Sequence, residues 1–218
     1  MPTTEVATIP LTPGTSIGDP SNPGAAVIAD VATTLRQQPG FQKMHFGTSV
    51  ETPSSLQMLF DWDSLQHHEA FVASDAYQPH LQRCATIMAG PVDIHHVDFE
   101  PAGALDTALS APVTEIATFY CDGEPAGDWT SNAAKAGEWL EREAAAAGYL
   151  GIAYGITHEE VEYKGVKGKA AVIAIGWKSV EAHMSFRETQ TFKENIGLLR
   201  GEAKAIEMHH VVMMQALE

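Results

Sequence analysis

The chain predicts an α+β fold of two tandem ferredoxin-like modules forming an intramolecular dimeric α/β barrel. Three observations carry this. A repeat recurs at an offset of about 110 residues. Each copy reads strand, helix, strand, strand, helix, strand. A stretch with Pro101, Gly103, Ser110 and Pro112 separates the copies and has linker composition.

The repeat rests on four anchors in the same order. Thr4-Glu5-Val6-Ala7-Thr8 returns as Thr114-Glu115-Ile116-Ala117-Thr118. Gly40-Phe41 with Phe46-Gly47 returns as Gly148-Tyr149 with Tyr154-Gly155. Trp62, Ser64, His68 and Phe71 return at the same spacing as Trp177, Ser179, His183 and Phe186, and His95-His96-Val97 returns as His209-His210-Val211. The expected boundaries are a first module over 1–100, a linker over 101–112 and a second module over 113–218.

Each element of a copy has a local reason. Thr4 to Leu11 is rich in β-formers, and a Pro/Gly-rich loop follows it. A helix from about Ala25 to Gln38 stops before Pro39-Gly40. Strands over Phe41 to Glu51 and Leu56 to Trp62 join around Pro53. Ser64 can cap a helix carrying Leu65 and Phe71 near one stripe, a further helical segment spans about Asp75 to Met88, and Asp93 to Phe99 closes the copy. The second copy has an Ala-rich helix near Thr130 to Ala147 and a longer hairpin turning at Lys164-Gly165. A four-stranded sheet with helices on one face needs cover on the other, and the second copy can supply it.

The formal net charge is -15, from 13 basic and 28 acidic side chains. Such a chain repels phosphate backbones and anionic lipid headgroups, which argues against nucleic acid and membrane partners. Met1-Pro2-Thr3-Thr4-Glu5 lacks a secretory start and no run has the length of a membrane span, so a cytoplasmic protein is expected. Cys84 and Cys121 fit no metal or redox spacing. Phosphate loops, nucleophile elbows and His-Glu-x-x-His helices are absent from the sequence, so no cofactor and no metal are expected.

The strand-borne Trp before a capped helix with His and Phe, the Gly-aromatic strand and the closing His-Val strand resemble the antibiotic-biosynthesis-monooxygenase superfamily. They also resemble the stress-responsive α/β-barrel proteins with their polyketide-cyclase-like members. The resemblance implies a module that is normally a homodimer. Here the fusion would make a pseudo-dimer within one chain, with a further homodimer left open. It also implies a small, largely apolar substrate, aromatic or polyketide-like. The corresponding enzyme would be cofactor-independent, a cyclase, dehydratase or monooxygenase. The alternatives are a non-catalytic ligand-binding or stress-related protein and a haem-binding or haem-degrading one. In cyclase-like members a catalytic His lies early in the later helix, where this chain carries Tyr77 and Phe192.

The histidines are the candidate proton carriers. His45 is matched by Ala153, His67 by Ala182 and Tyr77 by Phe192, so the first copy keeps protonatable groups where the second has apolar ones. This asymmetry places the expected pocket in the N-terminal half. His68 or His95 would be the general base, Tyr77 would donate a hydrogen bond to developing charge, and His45, Trp62 and Phe71 would bind substrate. His95 is expected to face the helices with Val97 and Phe99. The competing placement uses His183 and His209, with Tyr120 and Tyr154, in the second half.

Overall fold

The structure is a computed structural model and describes residues 2–216. Within these the chain divides into two compact units, one comprising 2–96 with 214–216 and the other Val97–Met213.

The first unit runs β1 (Thr3–Pro10), α1 (Pro23–Leu35), β2 (Phe41–Thr48), β3 (Ser55–Trp62), α2 (Leu65–Val72), α3 (Tyr77–Ala85) and β4 (Asp93–Val97, whose last residue falls in the second unit). Asn22 caps α1 by accepting the Gly24 N–H at 2.9 Å, and Pro23 follows at the first helical position. Val27, Ile28, Val31, Ala32 and Leu35 then recur at helical spacing and are buried. The strand order β2-β3-β1-β4 is the ferredoxin-like order. Antiparallel register sets Glu5 opposite Phe60 and Phe60 opposite Met44, so these side chains share the face that carries the helices and the apolar core. Val6, Leu59, Gln57 and Asp61 point the other way and are buried too.

The second unit runs α4 (Ala104–Leu109), β5 (Val113–Tyr120), α5 (Trp129–Glu143), β6 (Tyr149–Ile156), β7 (Val161–Tyr163), β8 (Val166–Gly168), β9 (Ala170–Trp177), α6 (Val180–Arg187), α7 (Gln190–Asn195), α8 (Gly197–Arg200) and β10 (Ala205–Val211). Its sheet order, β10-β5-β9-β6, repeats that of the first. Lys164 and Gly165 both have positive φ, 51° and 80°, as the tight turn between β7 and β8 requires. A last strand, β11 (Met214–Gln215), pairs with β2 and so belongs to the first unit.

The segment expected as a linker is structured. Leu105, Ala108 and Leu109 of α4 are buried, and the helix lies on β6 and β9, where Gly151 and Gly176 leave room for it. Thr114 locks it by donating to the Ala108 carbonyl at 2.8 Å. Its composition resembles a linker because four small residues, Ala102, Gly103, Ser110 and Ala111, and two prolines bracket a helix of only six residues.

Candidate active site

In the first module, Trp62 ends β3 and the chain turns at once into α2, which brings His68 and Phe71, three positions apart, onto one buried face. Ser64 stands at the cap position with extended backbone, but its hydroxyl pairs with His67 Nδ1 at 3.0 Å rather than capping a backbone N–H. In the second module Ala182 stands where His67 does, and Ser179 is free to accept the Ala182 N–H at 3.1 Å. Gly40 precedes this region with φ of 78°, and the His67 ring occupies the place a Cβ would need.

His68 is held from both sides. Its Nε2 lies 3.3 Å from Glu5 Oε2 and its Nδ1 lies 2.7 Å from His96 Nε2. The second module repeats this, with His183 Nε2 3.3 Å from Glu115 Oε2 and Nδ1 2.7 Å from His210 Nε2. Glu, His and His come from the first strand, the first helix after the hairpin and the last strand of each module, and all six are buried. An ionised carboxylate only accepts, so it fixes the middle histidine's N–H on Nε2; Nδ1 then accepts from the second histidine. Each triad is therefore a line of one ion-pair contact at 3.3 Å and one hydrogen bond at 2.7 Å, along which a proton can move.

The donor atoms of Glu5, His68 and His96 lie within 4.8 Å of one another, as a metal site would need. However, His68 faces Glu5 with one ring nitrogen and His96 with the other. The two lone-pair directions of an imidazole diverge, so an ion taking all three ligands would require the ring to give up one of these bonds. The geometry is that of a proton relay.

The modules differ at the tryptophan. Trp177 Nε1 donates to Glu115 Oε2 at 3.0 Å, and its ring stacks on His183 at 4.8 Å and 17°. Trp62 is tilted 40° to His68 at 5.3 Å, and its buried Nε1 has no hydrogen-bond partner among the described residues. Around His68 the aromatic side chains close on one another, with Phe71 5.9 Å from Trp62 and 5.3 Å from both Tyr77 and His80. In the second module a recess opens beside His183. It encloses about 70 Å³ and reaches about 530 Å³ with its open mouth. Glu115, Trp177 and His183 line it on one side, Trp139, Phe192 and Leu199 on another.

Of the residues expected to form a pocket, the structure brings together Trp62, His68, Phe71 and Tyr77 and separates His45 and His95 from them. His45 stands opposite Leu59 on β3, and so faces away from the helices. His96, not His95, reaches His68, and neighbours on a strand point to opposite faces. Likewise His210, not His209, reaches His183. Burial, with the charge of Glu5 adding to it, raises the Tyr77 pKa and keeps the phenol protonated. Glu5 and Glu115 were not expected at all. The signal for them lay in the repeat, which carries an acid at the same place in both opening strands.

Residues 25–83 match the family model described as antibiotic biosynthesis monooxygenase. No curated protein matches the chain. Among solved structures, an anthrone oxidase-like protein superposes with a TM-score of 0.69 at 12% identity, over 100% of this chain and 94% of the other. A candidate monooxygenase from Lactobacillus acidophilus NCFM gives a TM-score of 0.58 at 12% identity, over 99% and 95%. One from Fusobacterium nucleatum gives 0.57 at 10% identity, over 96% and 91%. The chain thus shares its two-module fold with these proteins along nearly its whole length, and its first module resembles the monooxygenase family in sequence.

Proposed function

We propose that the chain is a monooxygenase-type enzyme that needs no cofactor, and that it activates a small aromatic substrate by proton abstraction in the second module. The observation that carries this reading is the Glu115–His183 pair lining an apolar recess. A C–H group next to a carbonyl or phenol would lose its proton to this pair, while His210 holds the far nitrogen of the His183 ring. The apolar walls exclude water from the resulting carbanion. Dioxygen adds to that carbon, and the hydroperoxide then loses water. One methylene group and one dioxygen thereby become one carbonyl group and one water. The substrate itself supplies the electrons, and cyclisation or dehydration would begin with the same proton transfer.

The family match over the first module supports the reaction class. The first module's triad, whose His68 packs against Trp62, is assigned a structural part. The test uses 1,8-dihydroxyanthrone, a probe suggested by the description of the anthrone oxidase-like fold neighbour. Oxygen uptake should exceed the protein-free rate with stoichiometric quinone formation, and Glu115→Gln should abolish the excess. Uptake that Glu115→Gln leaves intact would overturn the assignment.

A further inference from the structure

We propose that the second module's recess takes an aromatic carboxylate, with the anionic end held at the recess by Arg187 and Arg200. The inference rests on the reading of that recess as the substrate site and adds the substrate's charge.

With 28 acidic side chains against 13 basic ones, an arginine in this chain has carboxylates to spare as partners. Arg83, in the later helix of the first module, uses one, holding Asp30 at 2.6 Å. Arg187 and Arg200 do not. Both line the recess, and among the described residues neither has a carboxylate within ion-pair distance. Arg187 is half-buried, and its Nη1 lies 3.8 Å from Met184 Sδ. Lys193 neutralises nearby Glu188 instead, at 3.7 Å. Counting forward from the two tryptophans, Val72 takes the place of Arg187 in the first module, so only the second module has guanidinium groups at this position.

The recess is therefore lined by charges of both signs. Glu115, whose Oε2 takes the Trp177 N–H and lies 3.3 Å from His183 Nε2, would repel a second carboxylate brought close. The arginines would attract one, and a guanidinium fork matches a carboxylate in two parallel hydrogen bonds. A ligand with an apolar ring system and one carboxylate is thereby oriented, with the acid at the arginines and the ring along Trp139 and Phe192 toward Glu115. The net charge of -15 opposes long-range capture of an anion, so recognition has to be local.

Calorimetric titration of the full chain with 2-naphthoate and with 2-naphthamide tests this, because the two differ in charge and hardly in shape. The expected result is at least about tenfold tighter binding of the naphthoate. That ratio should fall toward one in Arg187→Gln, in Arg200→Gln and in the double variant, and should fall with added salt. Equal affinity for the two ligands, or a preference for naphthoate that survives in the double variant, overturns the carboxylate assignment while leaving an aromatic site in place. Binding of neither ligand overturns both the assignment and the reading of the recess.

Discussion

His183 stands 2.7 Å from His210 through ring nitrogens, and the identical contact joins His68 to His96 in the other module. Two buried imidazoles at that distance share a proton, and a glutamate stands 3.3 Å from the far nitrogen of each middle ring. The duplicated fold thus keeps a duplicated relay, while only one copy borders the recess described above. Substitution separates their parts. His183→Gln should lower turnover about 10²-fold or more, since it removes a group that moves the proton. His68→Gln should act mainly on stability, by about 1–3 kcal/mol, because it removes the hydrogen bond to buried His96 and the ion-pair contact with buried Glu5. Steady-state oxygen uptake with urea midpoints for both variants checks this, and a larger loss of turnover in His68→Gln would move the reaction to the first module.

The two tryptophans make a second comparison. Trp177→Phe deletes an indole N–H bonded to the buried Glu115 carboxylate, whereas Trp62→Phe deletes one that has no such bond among the described residues. Both lose a similar ring area. Trp177→Phe should therefore be the more destabilising by about 1–3 kcal/mol, the worth of a hydrogen bond to a charged group. Equal urea midpoint shifts in the two variants would contradict the difference.

Much of the fold was legible because the repeat fixed it twice over: Gly40 and Gly148 mark the same turn, and Trp62 and Trp177 end the same strand. The middle histidines were legible for the same reason, since they sit at one spacing from those tryptophans. The choice between His95 and His96 was not, because adjacent strand residues differ only in face and the face depends on register against β1. Glu5 follows Thr4 and precedes Val6, an alternation that reads as a solvent-facing acid, although Val6 and Glu5 are both buried. The arginines carried no signal, since lining a recess depends on how α6, α7 and α8 fold back on the sheet.

His80 supplies a pH dependence. It stacks near Phe71 and Tyr77, and burial lowers its pKa below the ordinary 6.5. Below about pH 6.5 the unfolded chain takes up a proton that the folded module refuses, so stability falls as pH falls. The contribution is fully present above that pH and is lost on the way down toward the folded-state value. His80→Gln should flatten the fall in melting temperature between pH 7.5 and pH 5 relative to the unsubstituted chain. An unchanged slope would remove His80 as its source.

The docking of α4 can be tested through one glycine. Gly176 of β9 stands under this helix, and a Cβ there would lie 2.8 Å from the Ala111 Cβ and 3.2 Å from the Ala108 Cα and carbonyl oxygen. The last two are backbone atoms, so a larger side chain cannot be accommodated by a change of rotamer; the helix must move. Leu105 and Leu109 would then lose part of their burial, and the Thr114 hydroxyl its 2.8 Å bond to Ala108. Gly176→Val should destabilise the second module by about 1–3 kcal/mol, as overpacking of a close-fitted contact does. It should also speed amide hydrogen exchange over 105–111 and open this segment to proteolysis, which the unsubstituted chain should resist. A loosely tethered linker would show fast exchange and ready cleavage in both proteins, and that result would remove α4 from the fold.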